Sequence, residues 1–168
     1  MYGTYATVDG RPALRFERRL HHPVEAVWRA ITDPDELAHW FPARIKPDLR
    51  VGGRVSFADE GAAGEEGVVT EVDAPRRFAF RWGGGELRFE LEPEDDGAAC
   101  RLRFTHVLPE RDMGAMVAAG WHVCLDLLAR RLDGEDTEAP SSEPTPEWRA
   151  HDDDYLARGL SSRAPVPD

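Results

Sequence analysis

Cysteine, lysine and long apolar runs are all scarce in this chain. Its two cysteines, Cys100 and Cys124, form no Cys-x-x-Cys pair and sit in apolar stretches. They read as buried thiols in a reducing compartment, not as a disulfide framework or a redox pair. No apolar stretch approaches the ~18 residues needed to span a bilayer. The opening residues, Met1-Tyr2-Gly3-Thr4-Tyr5, lack the basic segment and apolar run of a secretory leader. The expected location is therefore the cytoplasm, with no membrane partner. Lys46 is the single lysine among 21 basic residues. With abundant Ala, Gly and Pro, that bias suggests a GC-rich bacterial genome.

A segregated basic patch is also missing. The arginines interleave with Asp and Glu, and the net charge is −11. Such a chain repels a nucleic-acid duplex, so nucleic acid is not an expected partner. Catalytic signatures are equally sparse. Ser56 is the one serine in the body of the chain and has no Gly-x-Ser-x-Gly setting. Gly52-Gly53 and Gly83-Gly84-Gly85 read as turns, since no phosphate-loop pattern follows them. The six histidines (His21, His22, His39, His106, His122, His151) show no recurring ligand spacing and no cysteine partners. No metal and no cofactor are expected, and catalytic residues stay unassigned.

What is present is a core-forming pattern in 168 residues, 41% of them hydrophobic and 32% charged. Chains of this length bury close to ~70% of their unfolded surface, enough for one domain without staples. Leu14, Phe16, Arg18 and Leu20 alternate with charges, which predicts a first strand with Arg18 on its inner face. Val24, Val27, Trp28 and Ile31 recur at helical spacing after Pro23. Asp33-Pro34-Asp35-Glu36 predicts a second short helix, with Asp33 as cap and Glu36 completing a capping box. It carries Leu37, Trp40 and Phe41.

Strands are predicted at 54–57, 67–72, 77–82, 86–92 and 99–108, separated by glycine-rich or acidic turns and a loop tip at 61–64. Each has one apolar and one charged face, the mark of an antiparallel meander with one wet side. A long helix is predicted over 114–132; Met113, just before it, and Met116, Val117, Gly120, Trp121, Cys124, Leu127 and Leu128 recur at spacings of three and four. Arg130 and Arg131 suit its C-terminal end, and Gly134 suits a stop. The domain is expected to cover residues 1–134. An acidic Ser/Thr/Pro-rich stretch at 135–146 reads as a mobile linker. A short helix at 147–160 is expected to dock back through Trp148, Tyr155 and Leu156, and 161–168 reads as a disordered tail.

Five segments in order carry a resemblance. They are Val27-Trp28-Arg29-Ala30-Ile31-Thr32-Asp33-Pro34, Leu37-x-x-Trp40-Phe41, Val51-Gly52-Gly53-x-x-x-Phe57, Arg103-Phe104-Thr105-His106 and Gly120-Trp121-x-x-Cys124-Leu125-x-x-Leu128. Together they resemble the START-like (SRPBCC) superfamily, and within it the homologues of the activator of the heat-shock-protein-ninety ATPase. The resemblance spans about 14–132. It implies an α+β helix-grip fold: a curved antiparallel sheet wrapped around a long C-terminal helix, with two short helices between strands 1 and 2. It also implies a hydrophobic cavity under the long helix. The superfamily holds carriers, receptors, cyclases and co-chaperone domains, so fold alone does not assign an activity.

The expected function is binding of a small hydrophobic molecule between sheet and long helix. Its expected lining is Trp40, Phe41, Phe57, Trp82, Phe89, Phe104, His106, Met113, Met116, Val117 and Trp121. Any one of these aromatics is equally an ordinary core residue. His106 shares a face with Leu102 and Phe104; it could bond a ligand, move a proton in a cyclase- or hydratase-type enzyme, or be structural. His39 and His122 flank tryptophans and read as rim or surface residues, and Arg18 could meet an anionic ligand head. A protein partner engaging the acidic tail from Glu135 is the third reading. Oligomeric state is open.

Overall fold

The computed structural model describes residues 2–57, 67–109, 114–141 and 143–160. The expected loop tip at 61–64, Met113 and the tail at 161–168 lie outside them.

Eight antiparallel strands form one sheet: β1 (Thr4–Val8), β2 (Arg11–Leu20), β3 (Ile45–Pro47), β4 (Arg54–Phe57), β5 (Gly67–Asp73), β6 (Arg77–Trp82), β7 (Gly85–Glu94) and β8 (Ala99–Val107). Their order across the sheet is β1-β2-β8-β7-β6-β5-β4-β3. Helices α1 (Val24–Thr32) and α2 (Pro34–Leu37) interrupt the chain between β2 and β3. The long α3 (Gly114–Leu132) and α4 (Pro146–Ala157) complete the chain. The two short helices thus follow the second strand, not the first. Asp9-Gly10 explains the extra one: both residues hold positive φ (52° and 77°), the backbone a tight hairpin requires, and they fold β1 onto β2.

Register turns the alternation into a core. Phe16, Phe104, Phe89 and Phe78 stand directly opposite one another across β2, β8, β7 and β6. Neighbouring ring centroids in that row are 6.1, 4.9 and 6.1 Å apart, the spacing of offset aromatic pairs. The next row is Leu14, His106, Leu87, Phe80 and Val69. On the other side of the phenylalanines lie Arg18, Leu102 and Leu91. The outer face is charged, with Arg103–Glu17 (3.0 Å) and Arg101–Glu94 (2.6 Å) bridging strands. Exposed pairs of this kind add at most about 1 kcal/mol each.

The short helices close one end of the core. Val24, Val27, Ala30 and Ile31 of α1 are buried. Trp40, just past α2, is fully buried and donates its indole N–H to the Ala30 carbonyl at 2.9 Å, which satisfies its one polar atom. Asp33 caps α2 by accepting from the Asp35 N–H at 2.9 Å. Glu36 does not complete a capping box. Arg131 of α3 takes its carboxylate instead (Nε to Oε2, 3.1 Å), because the helix end packs where that guanidinium can reach.

α3 is covered on more than one side. Its buried residues are Gly114, Ala115, Ala118, Ala119, Trp121, His122, Cys124, Leu125 and Leu128, while Met116, Val117 and Leu127 are half-buried. The spacing in the sequence favours one stripe of large side chains. Alanines define the buried side instead, because β2, α1 and above all α4 pack closely against this helix. Between α3 and α4 the chain is pinned at Thr137. Its hydroxyl donates to the His39 carbonyl (2.9 Å), and its carbonyl accepts from His39 Nδ1 (2.5 Å). A stretch that reads as a mobile linker is thus held by a buried threonine. Thr145 then caps α4 by accepting from the Trp148 N–H at 3.1 Å.

Candidate functional site

An apolar cleft of about 300 Å³ opens along α3. One wall is the end of the sheet, Trp82 and His106. The floor is Val117, Gly120, Trp121 and Cys124 of α3. Pro140, Thr145 and Trp148, from the returning chain and α4, form the opposite wall, with Pro42 at the edge. Gly120 shapes the cleft. A methyl group built there would meet Trp148 Nε1 at 3.8 Å, so any larger side chain would occupy the space between the two helices.

Of the residues singled out in the sequence, Trp82, His106, Val117 and Trp121 border this cleft. Trp40, Phe41, Phe89 and Phe104 do not. Each is at most 1% exposed and packed within the aromatic core. The space between sheet and helix is filled by rings: Phe104 lies 4.6 Å and Phe41 5.6 Å from Trp121, centroid to centroid. The opening falls instead on the flank of α3 facing the C-terminal chain. Phe57 supports the wall from behind, stacked on Trp82 at 5.7 Å. Met116 is half-buried but outside the cleft. Sequence reasoning missed Gly120, Pro140, Thr145 and Trp148 as wall residues. Trp148 carried a signal, an aromatic beside a cap in a polar stretch.

His106 is the polar side chain on the sheet side of the cleft, while Ser141, Glu143 and Thr145 border it from the returning chain. The Trp121 indole N–H donates to His106 Nδ1 at 2.9 Å, with the rings nearly perpendicular. Indole nitrogen only donates, so Nδ1 must be the unprotonated atom. Burial pushes the imidazole down to about 4, so the ring is neutral at physiological pH and carries its proton on Nε2. His106 therefore carries a fixed N–H donor at Nε2, an atom that lies close to Gly85 of β7. A ring in that state is poorly placed as a general base, because its lone pair is already engaged.

The remaining sequence candidates sit elsewhere. Arg18 lies on the inner face of β2, donates to the Glu17 carbonyl (3.0 Å) and interacts electrostatically with Asp126 of α3, away from the cleft. His39 holds Thr137. His122 is not a rim residue; it is 7% exposed, because α4 covers its side of α3. Cys124 borders the cleft, but burial raises its thiol to about 12, and that of Cys100 to about 11, so neither is a nucleophile at neutral pH. No helix among the described residues is long and apolar enough to cross a membrane.

Comparison with known proteins places the fold. The crystal structure of CalU16 from Micromonospora echinospora is similar, at 26% identity and a TM-score of 0.71, over 92% of this chain and 94% of that one. A conserved protein of unknown function from Enterococcus faecalis shares the fold at 22% identity and a TM-score of 0.71, over 93% and 89%. The solution structure of an AHSA1-like protein from Aeromonas hydrophila matches at 27% identity and a TM-score of 0.58, over 71% and 92%. No curated protein matches the chain. The family model for activator of Hsp90 ATPase homolog 1-like protein matches residues 21–133, from the end of β2 to just past α3. The chain is a member of the AHSA1-like family, with its START-like helix-grip architecture.

Proposed function

We propose that this protein binds a small, flat, largely apolar molecule in the cleft between α3 and α4. The observation that carries this reading is the cleft's make-up. Three tryptophans (Trp82, Trp121 and Trp148) surround a space of about 300 Å³ that also holds a neutral histidine. That volume is at the lower end for small-molecule sites, which are mostly apolar with few orienting polar groups. His106 Nε2–H selects a guest with a hydrogen-bond acceptor, such as a ring carbonyl. A donor left unpaired in an apolar site costs about 1–3 kcal/mol, so the match discriminates. The neutral ring and its engaged Nδ1 favour binding over proton-transfer catalysis.

The test is tryptophan fluorescence and thermal shift with flavone, which is flat and has one carbonyl, against 2-phenylnaphthalene, which has a similar flat outline and no carbonyl. A ligand at ~100 times its Kd adds about 2.7 kcal/mol. For a domain this size that is a rise of roughly 5–11 °C. Saturable quenching by flavone, weaker with 2-phenylnaphthalene, supports the reading. Equal response to both removes the role of His106, and no response to a wider panel of flat aromatics and fatty acids would count against the cleft.

A further inference from the structure

A second polar cluster lies on another side of α3. His122 and Asp126 are four residues apart on that helix, so both side chains project from one face. α4 brings His151 over them. One potential ligand atom from each of the three lies within 4.8 Å of the others. His122 Nε2 and Asp126 Oδ2 are 3.7 Å apart, and the two imidazole rings are 3.9 Å apart between centroids. Two ligands on a tetrahedral zinc, each at about 2.1 Å, stand about 3.4 Å from one another; the two imidazoles are stacked, 19° between planes, so one ring must turn for both lone pairs to reach the same ion.

Three further observations point to a ligand. Among the described residues, His151 Nδ1 and Asp152 Oδ1 are buried without a hydrogen-bond partner. His122 Nδ1 lies 2.9 Å from the Tyr155 hydroxyl, which also accepts the Gly3 N–H at 2.9 Å. Holding one imidazole nitrogen this way orients the other, as the outer partners of metal-bound histidines do. Asp126 is 44% exposed, which leaves an entry path.

We propose that His122, Asp126 and His151 form a binding site for a divalent transition metal ion of zinc-like preference. Two imidazoles and one carboxylate suit such an ion better than calcium or magnesium, which prefer all-oxygen sets. Three protein ligands leave at least one position for water or another small ligand. The ion would bridge α3 to α4. Arg18 of β2 has a buried Nη2 without a hydrogen-bond partner and interacts electrostatically with Asp126, so its positive charge opposes a cation at that carboxylate.

The test is titration of the full, tag-free chain with Co²⁺ alone, following the visible absorption of low-symmetry cobalt, with Zn²⁺ competition and thermal shift alongside. The expected result is saturation at a single equivalent, a higher Tm with metal, and loss of both in His151→Ala and Asp126→Asn. Circular dichroism shows whether each variant is folded. Arg18→Met should tighten binding, an effect that a merely structural cluster does not predict. His22→Asn should leave it unchanged, although His22 pairs with Asp133 at 2.8 Å elsewhere on the surface. No saturable binding, binding that survives both ligand substitutions, or binding lost in His22→Asn would overturn the proposal.

Discussion

The indole N–H of Trp121 and Nδ1 of His106 meet at 2.9 Å, joining the long helix to the eighth strand at the cleft. The bond exists only while the imidazole is neutral, because a protonated ring has donors on both nitrogens.

Stability should therefore depend on mild acid. Burial lowers His106 to about 4, and burial, aided by His151 and Arg18, lowers His122 to about 4. The unfolded chain takes up these protons near pH 6.5, the folded one only near 4. Their contribution is thus complete above about pH 6.5 and is lost as pH falls toward 4, on the order of 3 kcal/mol per histidine, about 2 of it by pH 5. Urea unfolding at pH 7.5 and pH 5 should show the drop. His106→Gln, whose amide oxygen can still accept from Trp121, should show a smaller one. An identical pH dependence in that variant would contradict the assignment.

Tyr155→Phe should destabilise the protein by about 1–3 kcal/mol, since it leaves the Gly3 N–H without its acceptor and His122 Nδ1 without its partner. The packing of the ring against Phe16 (6.5 Å) and Tyr2 (5.6 Å) would remain. Thermal unfolding at fixed pH measures it, and a loss below a few tenths of a kcal/mol would mean that the hydroxyl matters little.

Two glycines should respond in opposite directions to alanine. A Cβ at Gly53 would fall 2.2 Å from the Asp48 carbonyl oxygen and 2.8 Å from that of Arg50, both backbone atoms that cannot step aside. Gly53→Ala should cost about 2 kcal/mol or more. At Gly120 the same methyl meets Trp148 Nε1 at an ordinary 3.8 Å inside a helix, so Gly120→Ala should be neutral or stabilise by up to about 1 kcal/mol. Denaturant midpoints compare them directly.

Much of the fold was legible because the signals are local. Phe78, Phe80 and Trp82 alternate within β6, Gly83-Gly84 turns the chain into β7, and Asp33-Pro34 starts α2. β1 was missed although Asp9-Gly10 announces a hairpin, since its strand is short and half exposed. β3 was missed because three residues, Ile45–Pro47, carry too little periodicity. The rotation of α3 could not be read at all. Its stripe of large residues and its buried alanines suggest different faces, and only the docking of α4 decides between them. For the same reason the site was legible only in part. Trp82, His106, Val117 and Trp121 could be read from strand and helix faces, but the wall of Pro140, Thr145 and Trp148 depends on where the returning chain is pinned. His122 and His151 are 29 positions apart, and nothing local announces that they meet.

The most direct test of the cleft is flavone binding to the wild type and to Gly120→Leu, followed by tryptophan fluorescence. The leucine would occupy the space between α3 and Trp148 while leaving His106, Trp121 and the sheet untouched. Saturable quenching in the wild type, and its loss in a folded Gly120→Leu protein, is the result predicted here. Equal quenching in both proteins would place the ligand elsewhere and contradict the account.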